Sequence, residues 1–293
     1  MVALLGDFRQ EVRMSIYLRP QTITDAAHIL AVEGGTILSG GTDFFPALGD
    51  RPVAGTVIDI SGIREMKGIR ATPTEIWIGG LTTWSEVVAS PLPRCYDALK
   101  SAARGIGGIQ IQNRGTVAGN LCNASPAADG VPPLLALDAE IELVSSAETR
   151  RVPLSEFVVG NRKTLRRADE ILAAVIVPRN LDDAASVFLK LGARRYLVIS
   201  IAMVATVVQE DGHGRVSEAR VAVGSCSANA QRLNGLERAL VGAPARTGLG
   251  AMVTPQFLSL LSPMTDVRAT ASYRNDAALT LVSRALDACV GSG

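Results

Sequence analysis

Arg114-Gly115-Thr116-Val117-Ala118-Gly119-Asn120-Leu121-Cys122-Asn123-Ala124-Ser125-Pro126-Ala127-Ala128-Asp129 is the stretch around which the rest of the chain is read. It carries two glycines, several small polar residues and a closing carboxylate. It has too little bulk for a core and no charge run for a solvated face, so it reads as backbone shaped to lie against a polar ligand. Ser39-Gly40-Gly41-Thr42-Asp43 has the same character about 75 residues earlier. The two segments are taken together as opposing walls of one site.

The remainder of the chain sets limits on that site. A single core rarely grows past roughly 250–300 residues, so 293 residues imply two or three subdomains. Hydrophobic residues make up 47%, enough for substantial cores. The net charge of +1 leaves no footprint for nucleic acid or an anionic membrane, and 4% aromatics is poor material for base stacking. Cys95, Cys122, Cys226 and Cys289 are scattered without a C-x-x-C, which fits reduced thiols and gives no metal or iron–sulfur framework. His28 and His213 are too few for a histidine metal site. The longest apolar run, Leu197 to Val208, is shorter than the roughly 20 residues that span a bilayer, so no membrane span is expected. Met1–Leu5 is mildly apolar, but charged residues follow at once, so no secretory signal is read and a cytoplasmic setting is expected. Met14 is a second candidate start, with 1–13 as an N-terminal extension.

Taken in order, Thr22 or Thr24 can cap a helix over Asp25–Val32 that ends at Gly34-Gly35. Thr36–Leu38 reads as a strand running into Gly40-Gly41, Pro46–Gly49 as a turn or short helix, and Thr56–Ile60 as a strand. Lys67–Ala71 and Glu75–Gly79 flank a Thr72-Pro73-Thr74 turn. Thr83 with Glu86 forms a capping-box pattern, and Tyr96–Ile106 an amphipathic helix. Beyond the Arg114–Asp129 loop come a helix at Pro132–Leu137, a strand at Ala139–Val144, a helical turn at Pro153–Phe157 and a strand at Ile171–Val177. Composition shifts after Pro178–Asp183, which reads as a linker. Ser186–Leu191, Ile199–Gln209 and Arg215–Val223 are three further strands, with helices at Ala230–Leu240 and Ser272–Ala288. That is a small antiparallel sheet covered on one side by helices.

A cofactor carrying a pyrophosphate needs several backbone N–H donors aimed at one spot. Glycine lets the chain approach closely and adopt positive φ, so successive N–H groups can form a concave nest. Gly40-Gly41 after a strand suits this, and Thr42 and Asp43 add a hydroxyl and a carboxylate. Thr116, Gly119, Asn120, Ser125 and Asp129 offer further donors and acceptors. Two structural turns are the alternative account of the same glycines. There is no G-x-x-x-x-G-K-S/T, no strand-to-helix G-x-G-x-x-G, no H-E-x-x-H and no G-x-S-x-G.

The run Ile109-Gln110-Ile111-Gln112-Asn113 together with Arg114 to Asp129 resembles the signature of the FAD-binding medium subunit of the molybdenum hydroxylases, the xanthine dehydrogenase and carbon monoxide dehydrogenase family. The usual form is I-R-N-R-G-T-V/I-G-G-N followed by A-S-P-x-x-D; Ala118 stands for one usual glycine and Gln112 for a usual basic residue. Tyr17-Leu18-Arg19-Pro20, Ile37 to Asp43, Ile78 to Thr83, Lys163-Thr164-Leu165 with Asp169 to Leu172, and Asp266-Val267-Arg268 with Tyr273-Arg274 extend the likeness over nearly the whole chain.

The resemblance implies an α+β fold in which a two-subdomain FAD-binding (PCMH-type) unit is followed by a C-terminal domain with a three-stranded antiparallel sheet and helices. The expected divisions are 14–66, 67–180 and 181–293. It implies that Ile37, Leu38, Ser39, Gly40, Gly41, Thr42, Asp43 and Phe44 hold the FAD pyrophosphate. Thr116, Val117, Ala118, Gly119 and Asn120 would form the opposing wall. Ser125, Asp129, Leu172 and Lys190 would be further cofactor contacts, and Ile106 falls where some relatives place an aromatic against the flavin. After Arg194-Arg195 relatives usually carry an acid, where this chain has Val198. The resemblance further implies a large molybdenum-cofactor subunit and a small subunit with [2Fe-2S] clusters as partners, in a dimer of heterotrimers, with electrons leaving through FAD to an external acceptor. It implies no catalytic side chain and no metal site in this chain.

Read without the family, Lys190 is an edge lysine, Asp129 a helix cap, Cys122 a packing residue or a redox-sensitive thiol, and Arg162, Lys163, Arg166 and Arg167 a solvated face or a docking patch for a partner subunit. Two other functions fit the same loops: a non-redox binder of a phosphorylated small molecule, and a stand-alone flavin oxidoreductase.

Overall fold

The structure is a computed structural model that describes residues 15–246 and 248–291. The candidate extension 1–13 lies outside them.

The N-terminal unit is a three-stranded parallel sheet with one helix. Strands β1 (Ile16–Leu18), β2 (Thr36–Leu38) and β3 (Thr56–Asp59) are ordered β1-β3-β2. Helix α1 (Ile23–Glu33) begins where Thr22 Oγ1 accepts the Asp25 N–H and ends at Gly34, whose φ of +63° glycine adopts at little cost. Ala26, Ala27 and Leu30 face Ile58, Ile60 and Ile63 in a small core. Helix α2 (Phe44–Leu48) follows the Ser39–Asp43 loop. That loop leaves the carboxyl end of β2, the edge at which parallel sheets offer ligands a crevice.

The central unit is a five-stranded antiparallel sheet. Its strands are β4 (Ile69–Ala71), β5 (Glu75–Gly79), β6 (Glu140–Val144), β7 (Thr149–Pro153) and, after the two-stranded ribbon of β8 (Val158–Gly160) and β9 (Lys163–Thr164), β10 (Ile171–Pro178). Spatial order is β4-β5-β10-β6-β7. The central strand β10 is apolar throughout because it is buried on both faces. Strand β7 and the ribbon were not anticipated: Thr-Arg-Arg-Val-Pro shows only Val152 to the core, with Arg150 half-buried against Glu170 and Arg151 exposed. Helices α3 (Trp84–Ala89), α4 (Asp97–Gly105), α5 (Ile109–Gln112), α6 (Val117–Asn123), α7 (Val131–Ala136) and α8 (Leu154–Phe157) complete the unit. The Thr83–Glu86 capping box is formed at the start of α3.

The C-terminal domain has the three expected long strands, β11 (Ala185–Leu191), β12 (Ala202–Glu210) and β13 (Val216–Gly224). A two-residue fourth strand, β14 (Gln231–Arg232), pairs with β13, and the helices α9 (Asn234–Leu240) and α10 (Ala271–Val290) follow. The sheet is covered on both faces, not one. Met203, Ala205 and Val207 point into the core shared with α4 and α7, whereas Ala202, Val204 and Val208 point toward α9 and α10. The alternation follows from the two-residue side-chain period of a strand. Ile199 to Ile201 stays outside the strand: Leu197, at φ +50°, turns the chain before β12 begins.

Candidate functional site

The two walls read from the sequence lie against each other. Ser39 Oγ and Thr116 Oγ1 are 2.9 Å apart, within hydrogen-bond distance, although 77 residues separate them. Gly40 packs directly on the backbone of Arg114: a Cβ at position 40 would stand 2.8 Å from the Arg114 carbonyl carbon and 3.2 Å from Gly115 Cα. Real Cβ atoms essentially never come within 3.0 Å of such atoms, so only glycine fits. Gly41 has φ +77°, the left-handed region, where a side chain would also meet the Phe45 ring.

The walls differ in what they offer. Among the described residues, the N–H groups of Ser39, Gly40, Gly41 and Thr42 donate to no protein acceptor. In the second wall the four backbone donors from Val117 to Asn120 are already used. Val117 N–H goes to Thr82 O, Ala118 to Gly80 O, Gly119 to Thr116 Oγ1 and Asn120 to Thr116 O. The stretch is therefore not an open loop but helix α6, N-capped by Thr116, whose hydroxyl both caps the helix and meets Ser39. Its helical character was hidden because Val-Ala-Gly-Asn-Leu-Cys-Asn has weak propensity and only Val117, Ala118 and Leu121 to bury. Ala124 ends it in the left-handed region at φ 46°.

Trp84, 1% exposed, is the pillar beneath this wall. A Cβ on Gly130 would strike its ring, and Gly115 packs against it. Ala118 is accommodated because position 80 is glycine: the Ala118 Cβ lies 3.1 Å from where a Gly80 Cβ would sit. Gly80 also faces the Leu172 carbonyl, so Leu172 reaches the wall through its backbone while its side chain joins the core. Ser125 Oγ accepts the Ala127 N–H in a local turn, and Ile106 is partly buried against the central core. Asp43 precedes α2 but its carboxylate makes no capping bond.

Asp129 and Lys190 meet across 61 residues. Lys190 Nζ donates to Asp129 Oδ2 at 2.5 Å and to the Gly105 carbonyl at 3.2 Å. The two side chains are 15% and 6% exposed, so Lys190 is not an edge lysine in solvent. Asp129 does not cap the next helix either: the start of α7 has no side-chain cap, and the second carboxylate oxygen accepts from Ser200 Oγ. Burial raises the Asp129 pKa above the ordinary carboxylate value, against the opposing pull of Lys190 and Ser200. Ser200 had no sequence signal, since its role depends on a residue 71 positions away.

A second polar cluster that the sequence did not reveal lies at the end of β3. The buried Asp59 accepts from the Tyr17 hydroxyl and the Ser61 N–H and pairs with the half-exposed Arg19 at 3.5 Å. Burial would raise its pKa, but these bonds prevail and hold it below the usual value.

The basic residues after β8 are partly engaged. Arg162 donates to Asn123, Arg166 to the Glu170 carbonyl and Arg167 to Glu148. The described residues contain no cluster of His, Cys, Asp and Glu that could hold a metal, and no helix long and apolar enough to cross a membrane.

The seam suits FAD on two observations. Free backbone donors line one wall, as a pyrophosphate requires, and the buried Asn120 Oδ1 on the other has no partner in the protein. Such an acceptor is costly to bury unless a ligand or water donates to it.

Glycine-rich backbone with uncommitted N–H donors at the carboxyl end of a parallel sheet suits an α+β protein that binds a phosphate-bearing ligand. The sequence profile of the FAD binding domain in molybdopterin dehydrogenase matches residues 8–180, and that of the CO dehydrogenase flavoprotein C-terminal domain matches residues 187–289. The chain belongs to this family of FAD-binding molybdenum hydroxylase subunits and is an oxidoreductase subunit with FAD as its cofactor. It is 32% identical to the nicotinate dehydrogenase FAD-subunit of Eubacterium barkeri, over 89% of this chain and 90% of that one. It is 30% identical to a putative xanthine dehydrogenase FAD-binding subunit of Escherichia coli, over 94% and 96%. A carbon monoxide dehydrogenase chain from Hydrogenophaga pseudoflava superposes with a TM-score of 0.84 at 27% identity, covering 94% of this chain and 97% of that one.

Proposed function

We propose that this chain holds FAD across the seam and serves as the electron exit of a molybdenum hydroxylase complex. The observation that carries the assignment is the row of uncommitted N–H groups from Ser39 to Thr42, set directly against Thr116. Those donors would hold the pyrophosphate, with Ile37, Leu38, Asp43 and Phe44 shaping the same wall. Thr116 to Asn120 would supply side chains, shape and the unpaired Asn120 acceptor. Ser125, Leu172 and Ile106 would border the cofactor, and the Lys190–Asp129 pair would present a fixed cation near it. FAD, when bound, supplies the redox chemistry, taking electrons from [2Fe-2S] clusters and giving them to an external acceptor. The protein's part is to bind, orient and tune the electrostatics.

The clusters would sit in a small partner subunit and the molybdenum cofactor in a large one, where the substrate reacts. A cytoplasmic dimer of heterotrimers is the assembly proposed. Residues 14–66 and 67–180 would be the two clasping subdomains, and 181–293 the domain behind them.

The test is the visible spectrum of the purified chain after reconstitution with FAD. Stoichiometric flavin absorbance is expected; a chain that takes up no flavin would instead favour a non-redox binder of a phosphorylated ligand. Purification without partner chains, with a full catalytic cycle retained, would favour a stand-alone flavin oxidoreductase.

A further inference from the structure

Lys190 is the next-to-last residue of β11, and Ser200 lies just before β12. Between them the chain makes a hairpin loop closed at its base by the Ile201 N–H on the Leu191 carbonyl, 2.7 Å. The loop carries Tyr196, Leu197 and Ile199 more than half exposed. Arg194 folds back onto the Leu197 carbonyl, and Arg195 lies over the Tyr196 ring. Neither arginine is thus turned to the base of the loop, where Lys190 is the cation that acts on Asp129. The two residues flanking the loop converge on one carboxylate: Lys190 takes Oδ2 and Ser200 takes Oδ1. Both bonds are 2.5 Å, and Asp129 and Ser200 are almost wholly buried.

A carboxylate held at a single oxygen can rotate; one held at both cannot. Hydrogen bonds to an ionised group are also about twice as strong as those between neutral groups. Ser200 therefore does two things to Asp129: it stabilises the anion and fixes the plane of the carboxylate. With that plane fixed, the Lys190 ammonium has one place to stand, between Asp129 and the Gly105 carbonyl at the end of α4. That carbonyl is the negative end of a helix dipole and itself favours a cation. Ile106 is the next residue along.

We propose that Ser200 is a positioning residue of the flavin site, locking the Asp129 carboxylate so that Lys190 is held at the end of α4 beside the cofactor. The inference rests on FAD lying in the seam between Ser39–Thr42 and Thr116–Asn120. Ser200 touches no cofactor atom in this scheme; it acts through Asp129 on Lys190.

The test is the FAD dissociation constant of the full chain, measured by flavin absorbance and fluorescence. The set is wild type, Ser200→Ala, Ser200→Thr, Asp129→Asn and the double variant Asp129→Asn/Ser200→Ala, with thermal unfolding of each cofactor-free chain as the control for folding. Ser200→Ala should weaken binding by about tenfold, the loss of one charge-assisted hydrogen bond. Ser200→Thr keeps the hydroxyl and should recover most of that loss. In the Asp129→Asn background Ser200→Ala should add little, because residues acting through one another are not additive. Wild-type affinity in Ser200→Ala, failure of threonine to rescue a chain that folds normally, or full additivity in the double variant would each overturn the proposal. Wild-type protein that takes up no FAD would overturn the functional reading and this inference with it, a result distinct from the other three.

Discussion

The sharpest test of the seam is Gly40→Ala. A single methyl there must occupy space now filled by the Arg114 carbonyl, with the carbonyl carbon at 2.8 Å and Gly115 Cα at 3.2 Å. The obstacle is backbone, not the flexible end of a side chain, so the two walls must part by about an ångström or the loop must refold. Overpacking of this kind costs about 1–3 kcal/mol. The cost falls where the Ser39–Thr116 bond of 2.9 Å would also stretch beyond hydrogen-bond range. If the cofactor bridges both walls, nearly all of it appears as lost affinity, roughly fivefold to more than hundredfold. The assay is titration of cofactor-free protein with FAD, followed by flavin fluorescence. Gly212→Ala serves as control, since nothing lies within 4 Å of a Cβ there. Retention of wild-type affinity by Gly40→Ala would refute the idea that the ligand spans the contact between Gly40 and Arg114.

Three further outcomes are expected of the protein. Gly41→Val should abolish FAD retention, because φ +77° and the Phe45 ring both oppose a branched side chain; stoichiometric flavin in that variant would show the loop to be misplaced. Burial pushes the thiol of Cys95 up to about 12 and those of Cys122, Cys226 and Cys289 to about 11. All four should therefore resist a thiolate-directed alkylating agent in the native protein at neutral pH and react on unfolding, as read by mass spectrometry. Burial alone would raise the Glu170 pKa, but bonds from Arg150 and the Arg167 N–H bring it below the usual value. Its contribution is thus present above the unfolded value of about 4.3 and lost as pH falls through the lower folded value. Denaturant melts should show Glu170→Gln costing about 2 kcal/mol at neutral pH and less in acid, and an equal loss at both would contradict this.

The architecture was readable where burial imposes a period. Strand β10 and the apolar faces of β12 and β13 announce themselves, as do the caps at Thr22 and Thr83, because each is decided by neighbours close in sequence. Strand β7 escaped because an edge strand buries one residue in five. Helix α6 escaped because its caps and its contacts with Gly80 and Thr82, rather than its composition, make it helical. The glycines of the site were legible as glycines. That Gly40 must be glycine because of Arg114, and that Ala118 is tolerated because of Gly80, are facts about pairs distant in the chain. The convergence of Lys190 and Ser200 on Asp129 is of the same kind: the carboxylate was visible, but its use was not.

The small core of the N-terminal unit is not self-sufficient. Beside its own Leu30, Ile58 and Ile63 it borrows Leu81 and Ile171 from the central unit, and its strands are only three or four residues long. A unit with so little apolar area of its own is the first expected to open in local unfolding, and slow amide exchange should be scarce there. A ligand that touches both Ser39–Thr42 and Thr116–Asn120 closes that route. At a free concentration a hundred times its dissociation constant it adds about 2.7 kcal/mol against opening. Cofactor-free protein is then expected to be cut faster by an added protease than protein loaded with FAD, with the first cuts falling in the N-terminal unit.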